Sequence, residues 1–122
     1  EKIADFVIPL CATIHLAGST ITLTSCSMAI LILHGQTANA GVMLPFIAIL
    51  GIAMVAAPGI PGGAVMAALG FVQSILGFND TMSSLIIALY IAQDSFGTAC
   101  NVTGDGAIAI LVDAISKDKK KA

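Results

Sequence analysis

Several polar side chains near the end of the chain are spaced so that they could bind a small charged molecule or an ion. Asp94, Thr98, Asn101 and Asp105 follow one another at intervals of four, three and four residues. On a helix with about 3.6 residues per turn, this spacing places them on one face. Carboxylate, amide and hydroxyl groups offer oxygen ligands for a cation and partners for an ammonium group. We therefore expect this face to line a binding site.

The two carboxylates of this face have no fixed cation nearby in the sequence. The chain has five lysines, all at its ends, and no arginine. Acidic residues inside a membrane usually mark ion or substrate pathways. The expected countercharge for Asp94 and Asp105 is a bound metal ion, a substrate ammonium, a proton, His15 or a group from outside this sequence. Asp113, close to the terminal lysines, is expected to pair or snorkel at the membrane interface.

The composition indicates that a membrane surrounds the elements that carry these residues. The chain has 122 residues, of which 57% are hydrophobic and 10% charged, and its mean hydropathy is +1.00. Residues 6–79 contain no Asp, Glu, Lys or Arg. A soluble domain carries about 25% charged residues, so we expect membrane lipid or further protein around this chain. The net charge of −2 provides no basic stripe for nucleic acid.

The predicted fold class is an all-α membrane protein, because about 20 apolar residues span the hydrocarbon as a helix and three apolar blocks reach that length. Residues 5–34 form the first block, and a polar cluster from His15 to Thr20 lies in its middle. This block predicts an interrupted transmembrane helix. Turn-forming residues at 34–41 predict the loop that follows.

The second block, residues 42–78, has helix-breaking residues at its centre. Two prolines and three glycines lie between Ala57 and Gly63, where proline removes a backbone donor and glycine frees φ. The apolar arms on either side, about 15 residues each, are too short to span separately. We predict a re-entrant helical hairpin whose Pro/Gly tip lines a site, because irregular backbone at membrane depth survives only beside protein or a water-filled cavity.

The third block, residues 80–116, predicts the final transmembrane helix, with Asn79 or Asp80 as its N-cap. Residues 117–122 carry four lysines and predict a basic tail on the cytoplasmic side by the positive-inside rule. The predicted location is the cell membrane, crossed more than once. The first residue is not Met and no signal peptide opens the chain, so we expect a missing amino-terminal portion of the same chain as a partner.

Three segments of the sequence together carry a resemblance to a known family. They are Ile-Pro-Leu-Cys-Ala-Thr-Ile-His-Leu-Ala-Gly-Ser at 8–19, Pro-Gly-Ile-Pro-Gly-Gly at 58–63, and Asp94 followed by Asn-Val-Thr-Gly-Asp at 101–105. In order and spacing they resemble the last three elements of the dicarboxylate/amino acid:cation symporters, the glutamate-transporter family. The resemblance implies that residues 1–122 are the carboxyl-terminal portion of a mobile transport domain, in a protein that forms homotrimers.

The resemblance implies a substrate site on the stripe of the last helix. Asp94 matches the acid that holds the substrate amino group, and Asn101 matches the amide that meets the α-carboxylate. The tip of the hairpin matches the backbone that closes over the substrate. The implied substrate-binding residues are Asp94, Asn101, Thr98, Ser19, Gly59, Ile60 and Gly63.

The resemblance also implies two sodium sites built mainly from backbone carbonyls. Asp105 matches a sodium-ligating acid, which the carbonyls of the broken helix and the last helix would complete. The implied ligands of the first site are Asp105, Asn101, Cys11 and His15. Those of the second site are the carbonyls of Thr13, Met54, Val55 and Ala57.

The sequence departs from the family pattern at two places. His15-Leu16-Ala17-Gly18-Ser19 stands where the family has Asn-Met-Asp-Gly-Thr, so a site that needs side chains at 15 and 17 should be absent and fewer than three sodium sites remain. Histidine changes charge near neutral pH, which adds proton coupling as an expectation. Gly97 stands where members with acidic substrates carry an arginine, which removes the bidentate partner of a second carboxylate.

The predicted function is therefore part of a secondary active transporter, a cation-coupled symporter of a small neutral amino acid, in a family that also carries dicarboxylates and glutamate. The alternative is a membrane fragment that binds substrate or ion without transporting it. We expect no enzyme: Cys11, His15 and Ser19 could nominally compose a nucleophilic set, but no strained elbow or oxyanion motif accompanies them. The expected partners are a small-molecule substrate and lipid, and not nucleic acid.

Overall fold

The computed structural model describes residues 2–119, and it describes side chains as far as residue 117. All regular structure in this part of the chain is helical, which confirms the all-α fold class. The five helices are α1, Lys2–Ile14; α2, Ala17–Leu33; α3, Ala40–Val55; α4, Gly63–Leu76; and α5, Asp80–Lys119.

The first apolar block is an interrupted helix, but the interruption is shorter than the polar cluster suggests. Only His15 and Leu16 lie between α1 and α2. The backbone N–H of His15 still donates to the Cys11 carbonyl at 2.7 Å, whereas Leu16 leaves helical geometry at φ −114° and ψ 49°. Thr20 lies inside α2: its backbone N–H and its hydroxyl both donate to the Leu16 carbonyl, at 2.9 and 2.8 Å. A polar side chain that bonds within its own helix does not need to break it.

Helices α3 and α4 form a helical hairpin and pack against each other. Asn39 caps α3 by accepting a hydrogen bond from the backbone N–H of Val42 at 3.1 Å. Residues 56–62 form the tip, where Gly62 takes φ +74°, a left-handed conformation that favours glycine. At about 1.5 Å per residue, helices of 16 and 14 residues are shorter than the hydrocarbon thickness of about 30 Å.

Helix α5 is a single helix of 40 residues. Asn79 caps it by accepting a hydrogen bond from the backbone N–H of Met82 at 2.9 Å. The helix continues three residues past the predicted end at 116, so the first lysines of the predicted tail are helical, and residues 120–122 lie outside the described part. Lys117 donates to Asp113 at 2.6 Å on an exposed surface, and this is the pairing expected for Asp113.

The main hydrophobic core joins α2, α3, α4 and α5, with Leu23, Phe46, Val65 and Ile86 almost fully buried. A smaller cluster of Val7, Cys11 and Ala109 joins α1 to α5. Many other large apolar side chains are exposed, as expected for a surface that meets lipid or further protein. The stretches Lys2–Leu33 and Asp80–Lys117 are long and apolar enough to cross a membrane.

Candidate substrate and ion site

A cavity of about 280 Å³ lies where α5, the start of α2, α1 and the hairpin tip meet. The polar stripe of α5 forms one wall, because its four members share one helix face. Pro58 to Pro61 of the tip and Ala64 of α4 lie opposite. The lining residues are Ala12, Leu16, Ser19, Pro58, Gly59, Ile60, Pro61, Ala64, Tyr90, Asp94, Thr98, Asn101, Val102 and Asp105.

Asp94 connects the middle of α5 to the hairpin tip. Its Oδ2 accepts a hydrogen bond from the backbone N–H of Gly62 at 3.1 Å, and the side chain is half-buried. The hydrogen bonds within the tip are donated by other residues: Ile60 donates to the Pro58 carbonyl, and Gly63 donates to the Ile60 carbonyl. One carboxylate therefore holds the tip and still has an oxygen available for another donor.

Asn101 connects α5 to the first turn of α2. Its Oδ1 accepts from the backbone N–H of Gly18 at 2.8 Å, and its Nδ2 donates to the Ser19 hydroxyl at 3.2 Å. The first N–H groups of a helix have no partner within the helix, so the buried amide satisfies one of them. A side-chain amide carries two N–H donors, which leaves one for a ligand.

His15 and Asp105 are within hydrogen-bond distance of each other at the break between α1 and α2. The His15 Nδ1 lies 2.9 Å from Asp105 Oδ1, with 27% and 7% of the two side chains exposed. The imidazole lies against α5 at Gly104, which gives it room: a Cβ at that position would overlap the ring. Of the partners expected for Asp105, the structure places the His15 side chain against it.

Close packing of glycines sets the distance between α2 and α5. A Cβ on Gly18 would overlap the Gly97 carbonyl and the Cys100 side chain. Gly97 is buried in this helix crossing and is not among the residues that line the cavity. A Cβ on Gly97 would lie 3.5 Å from the Gly18 and Ser19 backbone, an ordinary contact. Gly97, which the sequence comparison with the family links to specificity, therefore faces α2.

The cavity brings together most of the residues expected to bind substrate. Gly59, Ile60 and Ser19 line it together with the α5 stripe, whereas Gly63 is buried at the start of α4, outside the lining. The N–H groups of Ile60 and Gly63 are already bonded within the tip. Any backbone contact from the tip to a ligand therefore depends on other groups, such as Gly59. The role of each residue in binding stays a prediction.

The residues expected at the sodium sites are spread over three helices. Cys11 is buried between α1 and α5, with its carbonyl accepting from His15, and Thr13 is exposed with its hydroxyl on the Leu10 carbonyl at 2.7 Å. The remaining residues lie at the end of α3 and in the tip: Met54 is buried in the main core, Val55 is exposed and Ala57 is buried. Sodium binding at either set of residues stays a prediction.

Tyr90 lines the cavity, although the sequence analysis did not single it out. Its hydroxyl lies beside the Ser19 hydroxyl and the Asp94 carboxylate, and the residue is 1% exposed. Tyr90 precedes Asp94 by four residues, so it continues the same helix face. The four-residue spacing could have placed Tyr90 in the site. It was overlooked because tyrosine is largely apolar and reads as part of the hydrophobic pattern.

An interrupted helix, a helical hairpin with an irregular tip and a helix with a carboxylate-bearing face surround one cavity, an arrangement used by secondary transporters. The sequence profile of the sodium:dicarboxylate symporter family matches residues 1–115, and the chain belongs to this family. This confirms the family resemblance. The symporters of this family are membrane proteins.

One curated relative is the serine/threonine transporter SstT of Acinetobacter baylyi (strain ATCC 33305 / BD413 / ADP1). It is 27% identical to this chain over 121 residues, which cover 96% of the chain. The chain spans 30% of the length of that relative. No solved structure matches the chain.

Proposed function

We propose that this chain forms the substrate-binding part of a symporter that moves a small neutral amino acid together with sodium. The observation that carries the proposal is the cavity between Asp94 and Asn101. A free carboxylate oxygen suits the ammonium of an amino acid, and an amide N–H suits its carboxylate. The name of the relative, a serine/threonine transporter, supports the same substrate class.

The charge of the cavity supports a neutral side chain on the substrate. No lysine or arginine is among the described residues that line it, and His15 is paired with Asp105. A second substrate carboxylate would lie unpaired near Asp94, and an unpaired buried charge costs several kcal/mol. Glutamate, aspartate and dicarboxylates should therefore bind worse than serine or alanine.

Competition for binding tests this proposal in the full-length protein that carries this chain. Unlabelled serine or alanine should displace labelled serine at concentrations at least about tenfold lower than glutamate, from the unpaired charge alone. Equal or tighter binding of glutamate would contradict the neutral class. Uptake into proteoliposomes, with and without a sodium gradient, separates transport from the alternative of binding without transport.

An arginine added to the cavity wall tests the same argument in reverse. Gly97→Arg follows from the family pattern, but Gly97 lies within the α2–α5 crossing, where a long side chain must displace packing. Thr98 lies on the cavity wall, so Thr98→Arg places the cation directly beside the ligand. We expect Thr98→Arg to improve glutamate relative to serine, whereas Thr98→Gln, which is uncharged, should not.

For the coupled ions, we propose sodium at fewer than three sites, with a proton as an additional coupled ion. Asp105 is the one carboxylate of the predicted sodium sites, and its contact with His15 supports a reduced role for sodium there. Among the described residues, Asp105 is the acidic residue in contact with the His15 ring, and Gly104 packs against the same ring. The hairpin is proposed to be re-entrant because α3 and α4 are each shorter than the hydrocarbon thickness.

A further inference from the structure

The face of α5 that carries the polar stripe changes character at one residue. Toward the start of the helix, Met82 and Ile86 on this face are buried in the main core at 1% and 0% exposure. Beyond Tyr90, the same face carries Asp94 and Thr98 and borders the cavity. Tyr90 therefore separates filled core from open cavity.

The ring of Tyr90 is large and is held in place. It belongs to the main core cluster, and it is the largest of the fully buried side chains. Core side chains are packed at the density of organic crystals and occupy fixed rotamers. Among the described residues that line the cavity, Tyr90 is the one aromatic, whereas Ala12, Gly59 and Ala64 are small. The cavity thus has one rigid, bulky end.

The proposed function places the ligand close to that end. If Asp94 holds the substrate ammonium, the α-carbon of the substrate lies next to Asp94. Tyr90 is four residues before Asp94, and side chains four apart on a helix are neighbours. The substituent on the α-carbon therefore meets the tyrosine when it points toward the start of α5.

We infer that Tyr90 is a specificity-determining residue that limits the size of the substrate side chain to that of a small amino acid. The inference rests on the proposed function and extends it to a residue without an assigned role. The ring acts through its volume: it fills the space that a branched or aromatic substrate side chain would need. The hydroxyl, beside Ser19 and Asp94, lets the polar end of the ring face the cavity.

The test compares Tyr90→Ala with Tyr90→Phe in the full-length protein, by competition of alanine, valine and leucine for the binding site. A pocket that gains space for a methylene or two changes its preference by about 10- to 200-fold. We expect Tyr90→Ala to raise the affinity for leucine relative to alanine at least about tenfold. Tyr90→Phe keeps the ring and should keep the wild-type ratio.

The outcomes separate this inference from the function on which it rests. A wild-type protein that binds no small neutral amino acid contradicts the proposed function and the inference with it. A wild-type protein that binds alanine, with a leucine-to-alanine ratio unchanged in Tyr90→Ala, contradicts the role of Tyr90 alone. If Tyr90→Ala does not fold, Tyr90→Leu removes less core volume, and the same ratio, changed or unchanged, decides.

Discussion

At the scale of single residues, Asp94 has two partners to satisfy, the Gly62 N–H that it bonds and the proposed substrate ammonium. Asp94→Asn keeps an oxygen that can accept from Gly62 but removes the charge. Hydrogen bonds to charged groups contribute about 1.5–3 kcal/mol, so amino acid affinity should fall by about 10- to 150-fold while the fold is kept. Isothermal titration of the purified full-length protein measures this loss.

Asp113 offers a matched control for the loss of one carboxylate from the same helix. Its pair with Lys117 is exposed, and exposed pairs contribute little to stability, about 0–1 kcal/mol. Asp113→Asn should leave amino acid affinity close to that of the wild type. A comparable loss in both variants would show that net charge, and not the position of Asp94, controls binding.

His15→Asn tests the coupling at the residue that faces Asp105. The asparagine returns the family's residue and removes the imidazole from the carboxylate, so Asp105 becomes available to a cation. We expect substrate affinity to depend more steeply on sodium in His15→Asn than in the wild type.

Substrate affinity measured against sodium concentration, for the wild type and for His15→Asn, tests this prediction. A sodium dependence that the substitution does not alter would mean that His15 has no influence on the coupled ions.

At the scale of elements, Gly104 sets how closely α5 approaches the break between α1 and α2. Gly104→Ala would put a methyl group against the His15 ring, so the contact between His15 and Asp105 must shift. Gly106→Ala has open space around its Cβ and gains helix propensity, about 1 kcal/mol. In thermal unfolding of the detergent-solubilised protein, Gly104→Ala should lower the midpoint and Gly106→Ala should not.

The elements were predictable from the sequence where the cause is local. Asn79 as a cap and the Pro/Gly tip follow from the chemistry of neighbouring residues, and both are present. The break between α1 and α2 was predicted too long, because the sequence does not show that Thr20 bonds to the carbonyl four residues back. The contact between His15 and Asp105 joins residues 90 positions apart, so only the folded chain fixes that pairing.

At the scale of the whole molecule, the proposed topology places the two ends of α5 on opposite sides of the membrane. The lysines at the end of α5 favour the cytoplasm. A re-entrant hairpin returns to the side it entered, so Gln36, before α3, and Asp80, after α4, should share the other side. A membrane-impermeant thiol reagent should label Gln36→Cys and Asp80→Cys from outside intact cells.

Lys117→Cys should react with the same reagent only after the membrane is opened, in a background where Cys11, Cys26 and Cys100 are replaced by serine. Labelling of Gln36→Cys and Asp80→Cys from opposite sides would contradict the re-entrant hairpin. Labelling of Lys117→Cys in intact cells would reverse the proposed orientation.

The uninterrupted length of α5 also indicates how deep in the membrane its polar residues lie. At about 1.5 Å per residue, Asp80 and Asp113 are about 50 Å apart along the axis. A bilayer with its headgroups is about 40–45 Å thick, so a helix tilt of about 25–35° accommodates this length. The midpoint of that distance falls between Asp94 and Thr98. With its charged ends at the two membrane surfaces, α5 places the carboxylate of Asp94, which is proposed to bind the substrate, near the middle of the bilayer.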